Sequence, residues 1–371
     1  SSSTANLPAD ATTVIIDGYG FDSTVGNNSV TFNNGAAGTV SAATATQLTV
    51  SLTTGPTTAG PLNIVVTTNA AGSGSAVQVA TVAPVVTSST AHLAANASSV
   101  IIAGLGFDTN SSNDTIIFDN GAVGTVTAAT ATSLTVSLTT TPTTAGSFSA
   151  VVTSNGVSSG VPVQVAAVTP VVTTTSTQVT PGVTTLIISG FGFDLIAANN
   201  AVVFNGGAVG TVTSATPTSL SVALSTKPTS AGNLTAVVTT NSLNSGGATQ
   251  VAAVVPLVTS SVANLAPNAT TIVIAGLGFD PTPSNNTVVF NLGAAGTVTA
   301  ATATALTVTF DTNPTTTGSL TAVVTSNSLA SGAAVQVATV KPVATSSTAN
   351  LAANATTLTI SGFGFDATTA S

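Results

Sequence analysis

Apolar and polar residues alternate along most of this chain, with the two-residue period of a β-strand. In TQLTVSL (46–52), Leu48, Val50 and Leu52 are separated by polar neighbours, the mark of a half-buried strand. LNIVVTT (62–68) and AVQVATV (76–82) are rich in β-branched residues that suit a pleated surface. TTVIID (12–17) and NSVTF (28–32) add two more strands. Turn residues fall between them: GAAG at 35–38, GPTTAG at 55–60 and NAAGSG at 69–74. No segment keeps an amphipathic helical period over ten residues.

The pattern then repeats. The Asp of a GFD triplet stands at 22, 108, 194, 280 and 366, each 86 residues from the last. Phe32, Phe118, Phe204 and Phe290 keep the same spacing, as do Pro56, Pro142, Pro228 and Pro314. Four units run without insertion or deletion and a fifth begins. A period of 86 is too long for one turn of a solenoid and suits one small β-sandwich. Seven or so short strands per unit, closed by Gly, Pro and Asn turns, predict an all-β chain. It is read as a tandem array of immunoglobulin-like sandwiches with expected boundaries 1–83, 84–169, 170–255 and 256–341, and a partial fifth at 342–371.

The segments GYGFD, VTF, GTVSAATATQLTV and LNIVVTTN, followed by a closing strand, resemble the IPT/TIG domains, immunoglobulin-like modules common in bacterial surface proteins. The resemblance covers all four full units and the opening of the fifth. It implies a fold more firmly than a function, because members serve in adhesins, polysaccharide-linked surface proteins, receptors and transcription factors.

Each unit passes into the next through Val82-Ala83-Pro84-Val85 or its equivalents around Pro170, Pro256 and Pro342. Proline fixes its own φ and restricts the residue before it, so these joints are expected to be short and stiff. Identical joints between near-identical modules predict a regular rod.

Composition narrows the function classes. Charged residues make up 3% of the chain, against about a quarter in average proteins. The bases are Lys227 and Lys341 alone, every acid is Asp, and the net charge is -8. With no basic surface to displace counterions from phosphate, nucleic acid is excluded as a partner, the DNA-binding branch of the family included. The absence of Cys removes disulfides, thiolate chemistry and Cys-ligated zinc. Mean hydropathy is high at +0.57, yet no apolar run reaches the roughly 18 residues that span a bilayer. The first residues show no Met start or signal peptide, so the expectation is a mature chain or an excised piece of a longer array. Strand addition from another subunit would be the other way to complete the partial fifth repeat.

Catalysis finds no support, because nearly all ionisable groups lie about one repeat apart and the single His92 has Asn6, Asn264 and Asn350 at its equivalent positions. The sharpest candidate site is the Asp of GFD. Asn follows five residues later in each full unit, giving the pairs Asp22 and Asn27, Asp108 and Asn113, Asp194 and Asn199, and Asp280 and Asn285. The next residue is Asn28, Asp114, Asn200 or Asn286, so only the second unit offers two carboxylates. These oxygens could contribute to a calcium site. The other reading, and the expectation here, is that Asp22 and its equivalents order the loop without metal, as Asx residues do. Gly18 and Gly20 would allow a bend where a side chain would clash, with Phe21 and Phe32 as core aromatics.

Thr and Ser rows are good β-formers and can carry O-linked sugar, and sequons occur, among others at Asn96, Asn268 and Asn354. Few charges guard the strand edges, which favours association between chains. The sequence therefore points to a non-enzymatic structural protein of the cell surface or extracellular matrix, prokaryotic, self-associating, and shaped as a rod, stalk or filament. The alternative is an adhesin whose repeats bind carbohydrate or other surface proteins.

Overall fold

A computed structural model describes residues 3–347 and 349–365 of the chain. By contact density it divides into two compact units. Unit 1 comprises Ser1–Val171, Phe191–Asp194 and Thr240–Asn244; unit 2 comprises Val172–Gly190, Leu195–Thr239 and Ser245–Ser371.

The first repeat shows the architecture. Its strands are β1 (Asn6–Pro8), β2 (Thr13–Asp17), β3 (Asn28–Phe32), β4 (Ala37–Ala43), β5 (Gln47–Thr54), β6 (Gly60–Thr68), β7 (Ala71–Gly72) and β8 (Val77–Ala83). One sheet runs β1-β8-β6-β3 with β7 paired to β6, and the other runs β2-β5-β4. The pairings are antiparallel except for β1, which lies parallel to β8 with Leu7 opposite Val82. Alternation sets which side chains face inward. Val14 and Ile16 of β2, Leu48 and Val50 of β5, and Leu62, Ile64 and Val66 of β6 are buried, while Thr13 and Ile15 face out. This is the immunoglobulin-like sandwich, all-β apart from single 3-10 turns such as Val25–Asn27, which the sequence pattern does not signal.

The remaining full repeats keep this register. Ile16 opposite Leu48 recurs as Ile102 with Leu134, Ile188 with Leu220 and Ile274 with Leu306. In the second repeat Phe118 stacks on Phe148, their ring centroids 4.7 Å apart. Full burial of a Leu or Phe side chain is worth about 1.5–3 kcal/mol, and every sandwich has several.

The joints belong to the sheets. Strand β8 ends at Ala83, Pro84 follows, and β9 (Val85–Val86) pairs at once with the second repeat, Val86 opposite Gly104 and Val85 opposite Leu105. A Cβ on Gly104 would meet both the Val85 carbonyl and the ring of Phe107, which is fully buried. Phe21, beside which no such strand lies among the described residues, is only partly buried against its core. The sequence reading of Phe21 as a core aromatic therefore holds fully at Phe107, Phe193 and Phe279 and partly at Phe21.

Within unit 2 the start of the fifth repeat pairs Val343–Ala344 with Gly362–Phe363, and Leu358 and Ile360 lie exposed. Asp366, the last GFD carboxylate, lies outside the described residues. His92 sits exposed on a strand opposite Ala167.

Candidate functional site

The loop from Gly18 to Asn28 is shaped by its glycines. A side chain at Gly18 would enter the space of the Phe21 ring. Gly20 has a left-handed φ of +78°, and its equivalents Gly106, Gly192 and Gly278 share that conformation. In the second repeat a further constraint appears, because a Cβ on Gly106 would lie 2.7 Å from the Cβ of Ala9 in the first repeat. A Cβ on Gly278 would likewise meet Pro181 within unit 2. The same glycine at 20 has open space.

The carboxylate of Asp22 then organises the loop. Its Oδ1 accepts the Thr24 backbone N–H at 2.7 Å, and its Oδ2 accepts the side-chain amides of Asn27 at 2.9 Å and Asn69 at 3.0 Å. The Thr24 N–H, followed by Asn27 and Asn69, pulls the Asp22 carboxyl down to about 2. Asp280 is lowered by the Thr282 N–H and the Asn327 side chain, and Asp108 by the Asn110 N–H and the Asn155 side chain.

The residue that this carboxylate holds is the one that reaches outward. Asn69, Asn155, Asn241 and Asn327 all adopt left-handed φ between 48° and 51°. Asn155 donates its Nδ2 to the carbonyl of Ala59 at 3.1 Å, and Ala59 donates its N–H to the carbonyl of Gly106 at 2.8 Å. One alanine of the first repeat, just before β6, thus has both backbone groups bound by the second. The same pair of bonds recurs in unit 1 at Ala145, through Asn241 at 2.9 Å and Gly192 at 2.8 Å. It recurs in unit 2 at Ala231, through Asn327 at 2.9 Å and Gly278 at 2.8 Å. Asp194 and Asp280 hold their asparagines at 3.0 and 2.9 Å while these bonds are made. Residues 1–81 match the model of the IPT/TIG domain.

The search of curated proteins returned no match. Among solved structures the chain is similar to Bacteroides ovatus SGBP-B of a mixed-linkage glucan utilization locus, at 18% identity over 70% of this chain and 71% of that one, TM-score 0.20. It is similar to invasin, a bacterial integrin-binding protein, at 13% identity over 88% and 79%, TM-score 0.23. A third is the human desmocollin-1 ectodomain, at 10% identity over 85% and 72%, TM-score 0.17.

In the first two repeats the candidate calcium residues bond to one another. Asn27 turns its amide nitrogen, a donor, towards Asp22, and Asn113 does the same towards Asp108 at 3.2 Å. Asn28 is buried, with Oδ1 accepting from the Asp22 N–H at 3.1 Å and the Thr68 hydroxyl at 2.9 Å. Asp114 is buried at the same position. Asn199 and Asn285 end the 3-10 turns Ala197–Asn199 and Pro283–Asn285. No group of three or more His, Cys, Asp or Glu side chains is gathered for a metal among the described residues. Nor is any helix there long and apolar enough to cross a membrane.

The bridging asparagines and the alanines they bind escaped the sequence reading. Asn69, Asn155, Asn241 and Asn327 did keep the repeat spacing at the end of a threonine-rich strand, and an Asn entering a turn is a left-handed candidate.

Proposed function

We propose that the chain is the repeating body of a non-enzymatic surface or extracellular protein, a stalk or filament whose work is to hold immunoglobulin-like modules in series. The observation that supports this reading is the doubly bound alanine. Ala59, Ala145 and Ala231 each accept one hydrogen bond from the repeat that follows and donate one to it. A flexible string of independent binding modules has no need to spend an ordered carboxylate and an asparagine on every joint. The strand pairing immediately after Pro84 works in the same direction, leaving no free linker between β8 and β9.

Association between chains completes the proposal. Outward aliphatic side chains recur at one position per repeat, Ile15, Ile101, Ile187 and Val273, on a surface with almost no charge. Electron microscopy of the full chain tests the proposal. The expected images show extended particles that assemble, on concentration, into filaments with an axial repeat of one module or a few. Dispersed particles with freely varying bends at every joint would refute it. A glycan array that returned a strong, specific ligand for the chain would favour the adhesin reading instead.

A further inference from the structure

The second repeat carries one substitution with no parallel in its sisters. Asn28, Asn200 and Asn286 open the third strand of their repeats, and the second repeat has Asp114 there. In the sister repeats the amide nitrogen does specific work. Asn28 Nδ2 donates to the carbonyls of Asp22 at 2.7 Å and Thr24 at 3.1 Å. Asn286 Nδ2 donates to those of Asp280 at 2.8 Å and Thr282 at 3.1 Å. Asn200 Nδ2 donates to Ile196 at 3.1 Å.

Asp114 reproduces only the acceptor half. Its Oδ1 receives the Asp108 N–H at 3.4 Å, and the Ser154 hydroxyl also bonds to the carboxyl. Its Oδ2 takes the place of the amide nitrogen and is buried with no hydrogen-bond partner. The residue as a whole is 4% exposed. By the repeat spacing, the carbonyls of Asp108 and Asn110 are the ones an amide would have satisfied. An ionised carboxylate would press a negative oxygen towards two carbonyl oxygens, out of reach of water, and such burial is costly. The Asp108 carboxylate is the charged group facing it; the neighbouring strand offers the neutral Ser154, and the 3-10 turn Ser111–Asn113 offers no charge. Asp108 keeps its own charge, because the Asn110 N–H and the Asn155 and Asn113 amides stabilise it.

We propose that Asp114 is held as the neutral acid, its hydroxyl donating to the carbonyl of Asp108 or Asn110, so that a proton ties the loop of the second repeat where an amide ties its sisters. Burial and the nearby Asp108 charge both push its pKa upward, consistent with that geometry. A proton restores the missing donor with no change in heavy-atom shape. The loop so controlled is the one that carries Asp108, which holds Asn155 in its bond to Ala59. Proton loss at Asp114 therefore loosens the joint after the first repeat and leaves the equivalent loop around Asn286 as it was.

The sign follows from linkage. A carboxyl whose folded pKa is raised stabilises fully below its ordinary value near 4, and this stabilisation is lost as pH rises through the folded pKa. Hydrogen exchange read by mass spectrometry on the full chain compares residues 107–118 with residues 279–290 at matched pH. The ratio of their protection is expected to fall roughly tenfold per pH unit above the ordinary carboxylate range until the acid has ionised. D114N should abolish that slope and bring the second loop to the level of the fourth. The carboxyl carbon of Asp114, followed by NMR in the unmodified chain, should titrate above the other aspartates. A protection ratio that does not vary with pH, a D114N chain less protected than the original, or an ordinary or lowered titration would each overturn the proposal. So would protection restored at high pH by calcium chloride, which would put a cation where the proton is proposed.

Discussion

Asn327 donates one side-chain nitrogen to two acceptors at once, the carboxylate of Asp280 at 2.9 Å and the carbonyl of Ala231 at 2.9 Å. The first bond lies within a repeat and the second crosses to the one before it. The loop carboxylate thus fixes the rotamer of the group that makes the joint, and the backbone N–H of Ala231 closes the contact from the other side at 2.8 Å.

Replacing this asparagine should therefore loosen a joint without unfolding a sandwich. N327A removes a bond to a charged acceptor and one to a carbonyl, together about 2 kcal/mol of local coupling. The thermal midpoint of the core should move little, while small-angle scattering from the full chain should broaden towards a wider spread of interdomain angles. N69A is the control, because Asn69 holds Asp22 within the first repeat. Its scattering profile should match that of the original chain.

A second internal control separates strain from contact. Gly20 and Gly106 have φ of 78° and 77°, but only Gly106 faces a neighbouring repeat, with Ala9 in the way of a new Cβ. G20A should cost about 1–2 kcal/mol, the price of a left-handed alanine. G106A should cost that and also shift the joint, read as new cleavage near Pro84 in limited proteolysis. Equal effects from both changes would mean that the glycine serves the bend alone.

Acid should weaken the loops in a defined direction. Asp22 is lowered from an ordinary 3.8 to about 2, and Asp108 and Asp280 are lowered too. Groups depressed in the folded state contribute stability above their ordinary value and lose it as pH falls through the folded one. The urea midpoint should therefore drop between about pH 4 and pH 2, and D22N should flatten that drop for the first repeat. Asp114 acts with the opposite sign, and on the alkaline side of this window.

The cores should behave as the alternation implies. L134A, at a fully buried position of the second repeat, should cost about 2–5 kcal/mol. I101T, one strand away on the outward face and 67% exposed, should change the melting temperature by little. If I101T instead raises the concentration needed for assembly, the outward aliphatic row is part of the contact between chains.

Much of this was legible in the residues. The two-residue period located β2, β5, β6 and β8, because a sheet with one buried face leaves that imprint directly. The 86-residue spacing of the GFD triplets is the interval at which the strand register recurs, and a large residue between two glycines signalled a bend. The parity of β3 also held information: Asn28 shares a face with Val30 and Phe32, so its side chain had to point inward, away from any exposed cation site. The joint was harder to see. Ala59 contributes only its backbone N–H and carbonyl, which no sequence pattern displays. Strict repetition also hides the neighbour-facing residues, since a position kept for folding and one kept for the joint recur at the same interval.

The parallel pairing of β1 with β8 bears on what happens when such a chain is pulled. Asn6, Leu7 and Pro8 lie beside Thr81, Val82 and Ala83 at the two ends of the first repeat. Tension enters through the strand that begins the module and leaves through the one that ends it. With the two strands parallel, that tension slides one along the other and loads their hydrogen bonds together, where an antiparallel hairpin pulled at its open ends would give way one bond at a time. His92–Ala94 with Ala167–Thr169 repeats the arrangement, and so does Asn264–Leu265 with Thr339–Val340. In the stalk proposed above, each full repeat would meet tension with a short parallel strand pair that is sheared as a unit.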